Sequence, residues 1–276
     1  MVMNRLSLPR RSQVIQCLVE GNSIRSTDRM TDAHRDTVMR LLVEVGAGCA
    51  QLSNESLRNL GCRRLQVDEI WSYVAKKQRK VAASDDPNRV GDMWTFVALD
   101  SDTKLVPAYL VGKRDRPTAT AFLTDLADRL TNRVQLSSDG LRAYVDATES
   151  AFGADVDYGQ IVKFYEAVPV GPGRYSPPRV TRTERSIIVG DPDQQHISTS
   201  MIERQNLTMR MSMRRFTRLT NAFSKKVENL RAAVALHFAH YNFVRVHRSL
   251  RVTPAMAAGV TDRVWSIEEL VERTSN

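Results

Sequence analysis

Three acidic residues stand far apart in the chain: Asp68 in QVDEIW, Asp139 in LSSDG and Glu203 in MIERQN. Carboxylates sharing one crevice repel and raise one another's pKa, unless divalent cations keep them ionised. Oxygen-only ligands suit a hard cation such as Mg²⁺, which retains waters and substrate phosphate oxygens in its shell. Two such ions, about 3.5 to 4 Å apart, serve an in-line displacement at phosphorus. The chemistry indicated is phosphodiester cleavage or transfer. Each acid also has a structural reading. Glu203, three residues after Ser200, completes a capping box. Asp139 before Gly140 suits a turn, and Asp68 has a rival in Glu69, which alternation sends to the opposite face of a strand.

The elements that would carry these acids begin at Arg64. RRLQVDEIWSYVAKK, rich in Val, Ile, Trp and Tyr, reads as a first strand containing Asp68. MWTFVALD and LVPAYLVG read as the second and third, and the short SDTK connection at 101–104 forces an antiparallel hairpin. DRPTATAFLTDLADRL places Ala119, Phe122, Leu126 and Leu130 on one helical face, and VQLSSDG follows as a fourth strand ending at Asp139. A helix between strands implies a parallel return. A right-handed crossover then sets the fourth strand beside the first, making Asp68 and Asp139 neighbours.

LRAYVDATESAF is a further amphipathic helix and IVKFYEAV a fifth strand, while the proline-rich stretch 167–197 reads as an irregular surface insertion. Helical order resumes at Ser198 or Ser200. Phe216, Leu219, Phe223, Val227, Leu230, Val234 and Phe238 continue it as one long helix ending near Asn242. The order of elements predicts an α/β fold with a ribonuclease H-like mixed sheet flanked by helices.

Ahead of the sheet, Val14, Ile15, Leu18 and Val19 lie at helical spacing and stop at Gly21; Ser23 and Thr31 are caps for two more helices. Three short helices with a tight glycine turn predict a helix-turn-helix over residues 1–62, presenting His34, Arg35, Thr37 and Arg40 to the major groove. An all-helical packing module is the other reading. The catalytic unit would occupy 63–250, with a C-terminal tail at 251–276.

A formal charge of +9 attracts polyanions, which makes nucleic acid the first partner to expect. Between Arg204 and Arg231 stand eight Lys or Arg, including Arg210, Arg214, Arg215, Lys225 and Lys226, against the single acid Glu228. A second cluster is Lys76, Lys77, Arg79 and Lys80, and Arg245 and His247 in YNFVRVHRSL are further phosphate candidates. No apolar run of about 18 residues and no signal-peptide core appears, so a cytoplasmic protein without a membrane span is expected. Cys17, Cys49 and Cys62 lack zinc-site spacing and read as buried thiols; Trp71 and Trp94 read as core aromatics.

VDEIWSYV, SSDG, STSMIERQNLTMRMSMRRFTRLTNAFSKKVENLRAA and HYNFVRVHRSLRVTPAMAAGV together resemble the DDE transposases of the insertion-sequence-one family. The likeness runs from the N-terminal helices nearly to the end. It implies that Asp68, not Glu69, joins Asp139 and Glu203 in a triad binding two Mg²⁺ or Mn²⁺ ions. That triad would nick transposon ends at terminal inverted repeats and join the freed 3′ hydroxyl to target DNA. Double-stranded DNA is the implied partner. A homodimer or higher oligomer follows from the need to join two ends. Arg210, two helical turns after Glu203, is placed to hold a phosphate, with Arg204 and Arg214 in the same basic segment. Departures from the family pattern are Val246 in place of proline and the acids Asp32 and Asp36 near the DNA-facing turn. A structure-selective nuclease of the same fold and a non-catalytic DNA-binding regulator are the alternatives.

Overall fold

In the computed structural model, which describes residues 5–166, 179–217 and 220–275, strand β1 (Arg64–Val74) lies inside a single six-stranded sheet. β2 (Gly91–Asp100) pairs antiparallel with β1, and β3 (Tyr109–Gly112) antiparallel with β2. On the other side, β4 (Val134–Ser138) runs parallel to β1, β5 (Val156–Glu166) parallel to β4, and β6 (Arg179–Val189) antiparallel to β5. The spatial order β3-β2-β1-β4-β5 is the ribonuclease H-like arrangement that the element order predicts, and β6 adds an antiparallel strand at its edge.

Helices close both faces. α1 (Leu8–Val19), α2 (Ile24–Thr31) and α3 (Arg35–Ser56) precede the sheet; α4 (Arg116–Ala127) and α5 (Arg142–Phe152) interrupt it. Phe96 of β2 meets Phe122 of α4 and Tyr144 of α5 at ring separations of 5.8 and 6.0 Å, so α4 and α5 cover that face. α6 (Ser200–Ser212) and α7 (Val227–Ala239) take the other, where Tyr109 of β3 meets Phe238 at 4.9 Å. One π turn, His240–Val244, follows α7, and within it Asn242 pairs its amide with both backbone groups of Val106, at 3.1 and 2.9 Å. α8 (Pro254–Ala257) and α9 (Ile267–Thr274) end the chain, α9 lying against α1 and α3. Among the described residues no helix is long and apolar enough to cross a membrane. The three cysteines are free and buried, as expected.

Three N-terminal helices form, with Gly21 turning at φ 82° between the first two and Ser23 capping the second as expected; Thr31, expected to cap the third, is instead the last residue of α2, its hydroxyl donating to the Thr27 carbonyl, and His34 caps α3. α3 runs longer than expected, because its apolar stripe continues through Cys49 to Ser53 against the rest of the molecule. Val14, Ile15, Val38, Leu42 and Val45 belong to the same continuous core as the sheet. Two glycines make this contact close. A Cβ at Gly46 would lie 2.6 Å from the Ala232 Cα of α7, and one at Gly48 would lie 2.0 Å from the Thr274 carbonyl oxygen of α9.

Several expectations differ from the structure. The long helix through Phe216 and Phe223 does not form: α6 stops at Ser212, and apart from one 3₁₀ turn at Arg214–Phe216 the described chain is non-helical until α7. The Ala75 N–H donates to the Ser224 carbonyl at 2.9 Å, and Phe223 stacks on Tyr73 at 4.7 Å, so this segment is tied to the end of β1. Tertiary pairing outweighs the apolar spacing; Leu219 lies outside the described residues. Of the stretch expected to be irregular, 167–178 also lies outside them, whereas 179–189 forms β6. Between Pro178 and Pro192 the chain is proline-free and rich in β-branched residues, which favours a strand. Trp71 and Trp94, expected in the core, are only half-buried.

Gly46→Val should lower the unfolding free energy by roughly 2–4 kcal/mol through overpacking, whereas Ala47→Val, on the exposed side, should cost less than about 1 kcal/mol. Urea unfolding of both variants measures the difference.

Candidate active site

Arg64, Leu65 and Gln66 of β1 lie level with Gln135, Leu136 and Ser137 of β4. Continuing that parallel register brings Asp68 level with Asp139, the first residue past the end of β4. One carboxylate oxygen from each of Asp68, Glu69 and Asp139 lies within 4.8 Å of the others. Alternation sends Asp68 and Glu69 to opposite faces of β1. They converge with Asp139 nevertheless, because β4 stops one residue short and, although β2 still pairs with β1 through Val97 and Phe96, no β4 partner flanks β1 at that level.

The environments of the two neighbours differ. Glu69 has only 2% of its side chain exposed and accepts hydrogen bonds from Arg114 Nε at 2.7 Å and the Tyr144 hydroxyl at 3.0 Å. Burial first, then the Asp139 charge, still holds its carboxyl above the usual range, against the pull of Arg114. Asp68 accepts a hydrogen bond from Asn206 Nδ2 at 2.8 Å. Burial, followed by the Glu69 charge, pushes its carboxyl up to about 7.

Glu203 is carried to the same region by α6 but does not join the three oxygens. Its Oε1 accepts from Lys163 Nζ of β5 and from Thr199 Oγ1, the latter at 2.7 Å. The expected capping box with Ser200 is absent: Thr199 is the N-cap residue and its hydroxyl goes to the glutamate. The start of α6 is held instead by β1. Gln66 Oε1 accepts the N–H groups of Met201 and Ile202 at 2.9 and 3.1 Å, satisfying two donors that a helix start leaves without partners. Gln66 and Asp68 share one face of β1, and Asn206 lies about a turn beyond Glu203. The glutamate helix is therefore pinned to β1 on both sides of Glu203. Glu69, the rival of Asp68 in the sequence, stands in the cluster beside it, and Gln66, Lys163 and Asn206 are further functional candidates absent from the sequence-based set. Same-face spacing from Asp68 and Glu203 was the available signal for Gln66 and Asn206; none pointed to Lys163.

The basic candidates are distributed more widely. Arg35 and Arg40 are exposed and Thr37 half-buried in the first turns of α3, and Thr37 and Arg40 open on a groove shared with Arg5, Arg11 and Arg273. Arg35 pairs with Asp36 at 3.5 Å, and the Asp36 N–H donates to His34 Nδ1 at 3.3 Å. Lys76 is paired with Asp85 at 2.8 Å, while Lys77 is exposed. Arg204 and Arg214 are exposed and Arg210 half-buried; Arg214 adjoins Asn22 between the first two helices. Arg245 is exposed, and His247 shares a hydrogen with Ser249 at 3.0 Å. Burial, then the charges of Lys104 and Arg245, lowers the His247 pKa and keeps it neutral.

The acidic cluster fits a divalent cation. It offers hard oxygen donors, an aspartate raised to about 7 among other carboxylates, and the buried Asn206 Oδ1, which accepts no hydrogen bond.

No protein-family model matches the sequence, and no curated protein matches it. One similar solved structure is a Mos1 transposase paired-end complex with left transposon end, at 17% identity and a TM-score of 0.22. The match covers 54% of this chain and 60% of that one, so it spans less than two thirds of the Mos1 chain.

The Asp68 environment predicts a pH dependence. A folded pKa of about 7 lies above the unfolded value near 3.8, so the folded state binds the proton more tightly and loses stability as pH rises between them. Without metal, Asp68→Asn should melt close to the wild type at about pH 4 and well above it at about pH 8. Mg²⁺ should raise the wild-type Tm at the higher pH and leave the variant nearly unmoved. Thermal melts at both pH values decide it.

Proposed function

We propose that the chain is a DDE-type transposase that binds terminal inverted repeats and performs metal-dependent DNA strand cleavage and transfer. One observation carries the reading: Asp68 and Asp139 converge beside the end of β4 in a ribonuclease H-like sheet, and the Glu203 helix is docked on the same strand. In it, Asp68 and Asp139 would hold two Mg²⁺ or Mn²⁺ ions, and Glu203, released from Lys163, would complete the set. Bound cations supply Lewis-acid stabilisation of the charge that develops on the attacking and departing oxygens. Asn206 fixes one oxygen of Asp68, which orients the other. Glu69 stays with Arg114 and Tyr144 and deepens the negative potential without being a ligand.

The rest of the chain binds and orients DNA. Residues 1–62 act as the helix-turn-helix, with Arg35, Thr37 and Arg40 of α3 reading the repeat. Lys76, Lys77, Arg204, Arg210, Arg214 and Arg245 hold phosphates, and neutral His247 contributes a hydrogen bond. Residues 63–250 form the catalytic unit and 251–276 the tail that braces α3. The chain acts as a homodimer or higher oligomer on cytoplasmic DNA, since two ends must meet.

Replacing Asp68, Asp139 or Glu203 singly with Ala should reduce Mg²⁺-dependent nicking of repeat-containing duplex below about a thousandth of wild type. Gel-shift affinity should be largely retained. Unchanged nicking would remove that residue from the triad, and nicking without joined products would identify a nuclease. Wild-type binding without any cleavage would identify a regulator. Lys163→Met should free Glu203 and raise Mn²⁺ affinity, measured by calorimetry, about two- to fivefold. That gain should vanish in the Lys163→Met/Glu203→Gln double variant.

A further inference from the structure

Beyond Phe96, the sheet face that α4 and α5 cover continues as a row of aromatic rings. Trp71 of β1 stands opposite Trp94 of β2. Tyr73 follows on the same face, 5.8 Å from Trp71, and Phe223 stacks on Tyr73 at 4.7 Å. All four are half-exposed. Trp71, Tyr73 and Phe223 take no part in the hydrophobic core, and Trp94 only borders it. Four partly exposed rings in a line offer a flat apolar surface that a planar partner can cover.

Each end of the row has its own charge. The Arg114 guanidinium lies 4.8 Å over the Trp94 ring and also donates to Glu69, which belongs to the acidic cluster. At the far end, Tyr73 leads through Val74 and Ala75 into Lys76, Lys77, Arg79 and Lys80, and Phe223 leads through Ser224 into Lys225 and Lys226. The Ala75–Ser224 backbone bond brings these two basic segments side by side. Lys77, Arg79, Lys80, Lys225 and Lys226 are all exposed. Acids nearby are already engaged: Asp85 holds Lys76, and Asp92 accepts from the Gln78 N–H.

Rings flanked by cations suit nucleic acid, and the rings specify its state. A duplex hides the faces of its bases, whereas an unpaired strand offers every base for stacking. We infer that Trp94, Trp71, Tyr73 and Phe223 form a stacking platform for an unpaired strand leading from the acidic cluster, with its phosphates on the basic rim beyond. This role presupposes the DNA chemistry proposed above and adds that one strand is separated from its complement beside the cluster.

The three tryptophans make the platform visible. Trp71 and Trp94 belong to the row, whereas Trp265 is 7% exposed and stacked on Phe243 at 4.5 Å, which makes it an internal reference. The full chain, without metal, is titrated with an oligothymidylate and with a blunt duplex of equal length while tryptophan emission is followed. The oligothymidylate should quench emission, and the Trp71→Phe/Trp94→Phe variant, left with Trp265, should lose that quenching. Trp71→Ala and Tyr73→Ala should each weaken single-strand binding about fivefold or more while leaving duplex affinity unchanged. Trp71→Phe should retain most of it, and matching thermal melts exclude misfolding.

Equal quenching by the duplex, or none by the oligothymidylate, would overturn the platform. So would unchanged single-strand affinity in the alanine variants combined with loss of a dimer in solution, which would make the row a self-association surface. Repeat cleavage is assayed in parallel. Quenching without cleavage upholds the platform and sinks the transposase reading, and cleavage without quenching does the reverse.

Discussion

A single carboxamide sets where α6 docks beside the acidic cluster. Gln66 is buried in β1 and spends its carbonyl oxygen on the first free N–H groups of α6. A buried donor left without a partner costs about 1–3 kcal/mol, so this contact fixes where α6 can begin. Once the helix start is pinned there, Glu203 must project near Asp68, and Asn206 falls within reach of the Asp68 carboxylate. The register of β1 against β4 delivers Asp139 to the same level. The approach of α6 to that cluster depends on a glutamine that is not itself acidic or basic.

Electrostatics then determines the resting arrangement. Asp68, Glu69 and Asp139 crowd together, and burial leaves little solvent to screen them. The protein relieves this unevenly. Glu69 receives Arg114 and a tyrosine hydroxyl, Asp68 receives a neutral amide and stays high in pKa, and Glu203 turns away to Lys163. The lysine serves as an internal counter-cation for the one acid that would otherwise add to the crowding.

Much of the fold was legible in the sequence because local signals were strong. The period-two runs around Asp68 and in MWTFVALD, the short SDTK turn and the helix before VQLSSDG determine the hairpin and the parallel return. From these alone Asp68 and Asp139 become neighbours. What escaped was decided at long range. Glu69 joins the cluster because β4 ends where it does, and Glu203 faces Lys163, a strand residue 40 positions earlier. The segment after Ser212 carries helical spacing, but bonding to the end of β1 overrides it. β6 was hidden by prolines that lie just outside it. The helix boundaries at Gly21 and Ser23 were readable because caps act within a few residues.

At Gly46 and Gly48 the α3 backbone meets α7 and α9 with no room for a side chain. α3 is clasped between α7 and α9 with no linker to swivel on. If α3 reads the DNA sequence, the protein behaves as a ruler: the number of base pairs from the recognised element to the bond that is cut becomes a constant of the folded body. Such a molecule tolerates little variation in that spacing, and a one-base-pair insertion would rotate the scissile bond by about a tenth of a helical turn away from the acids.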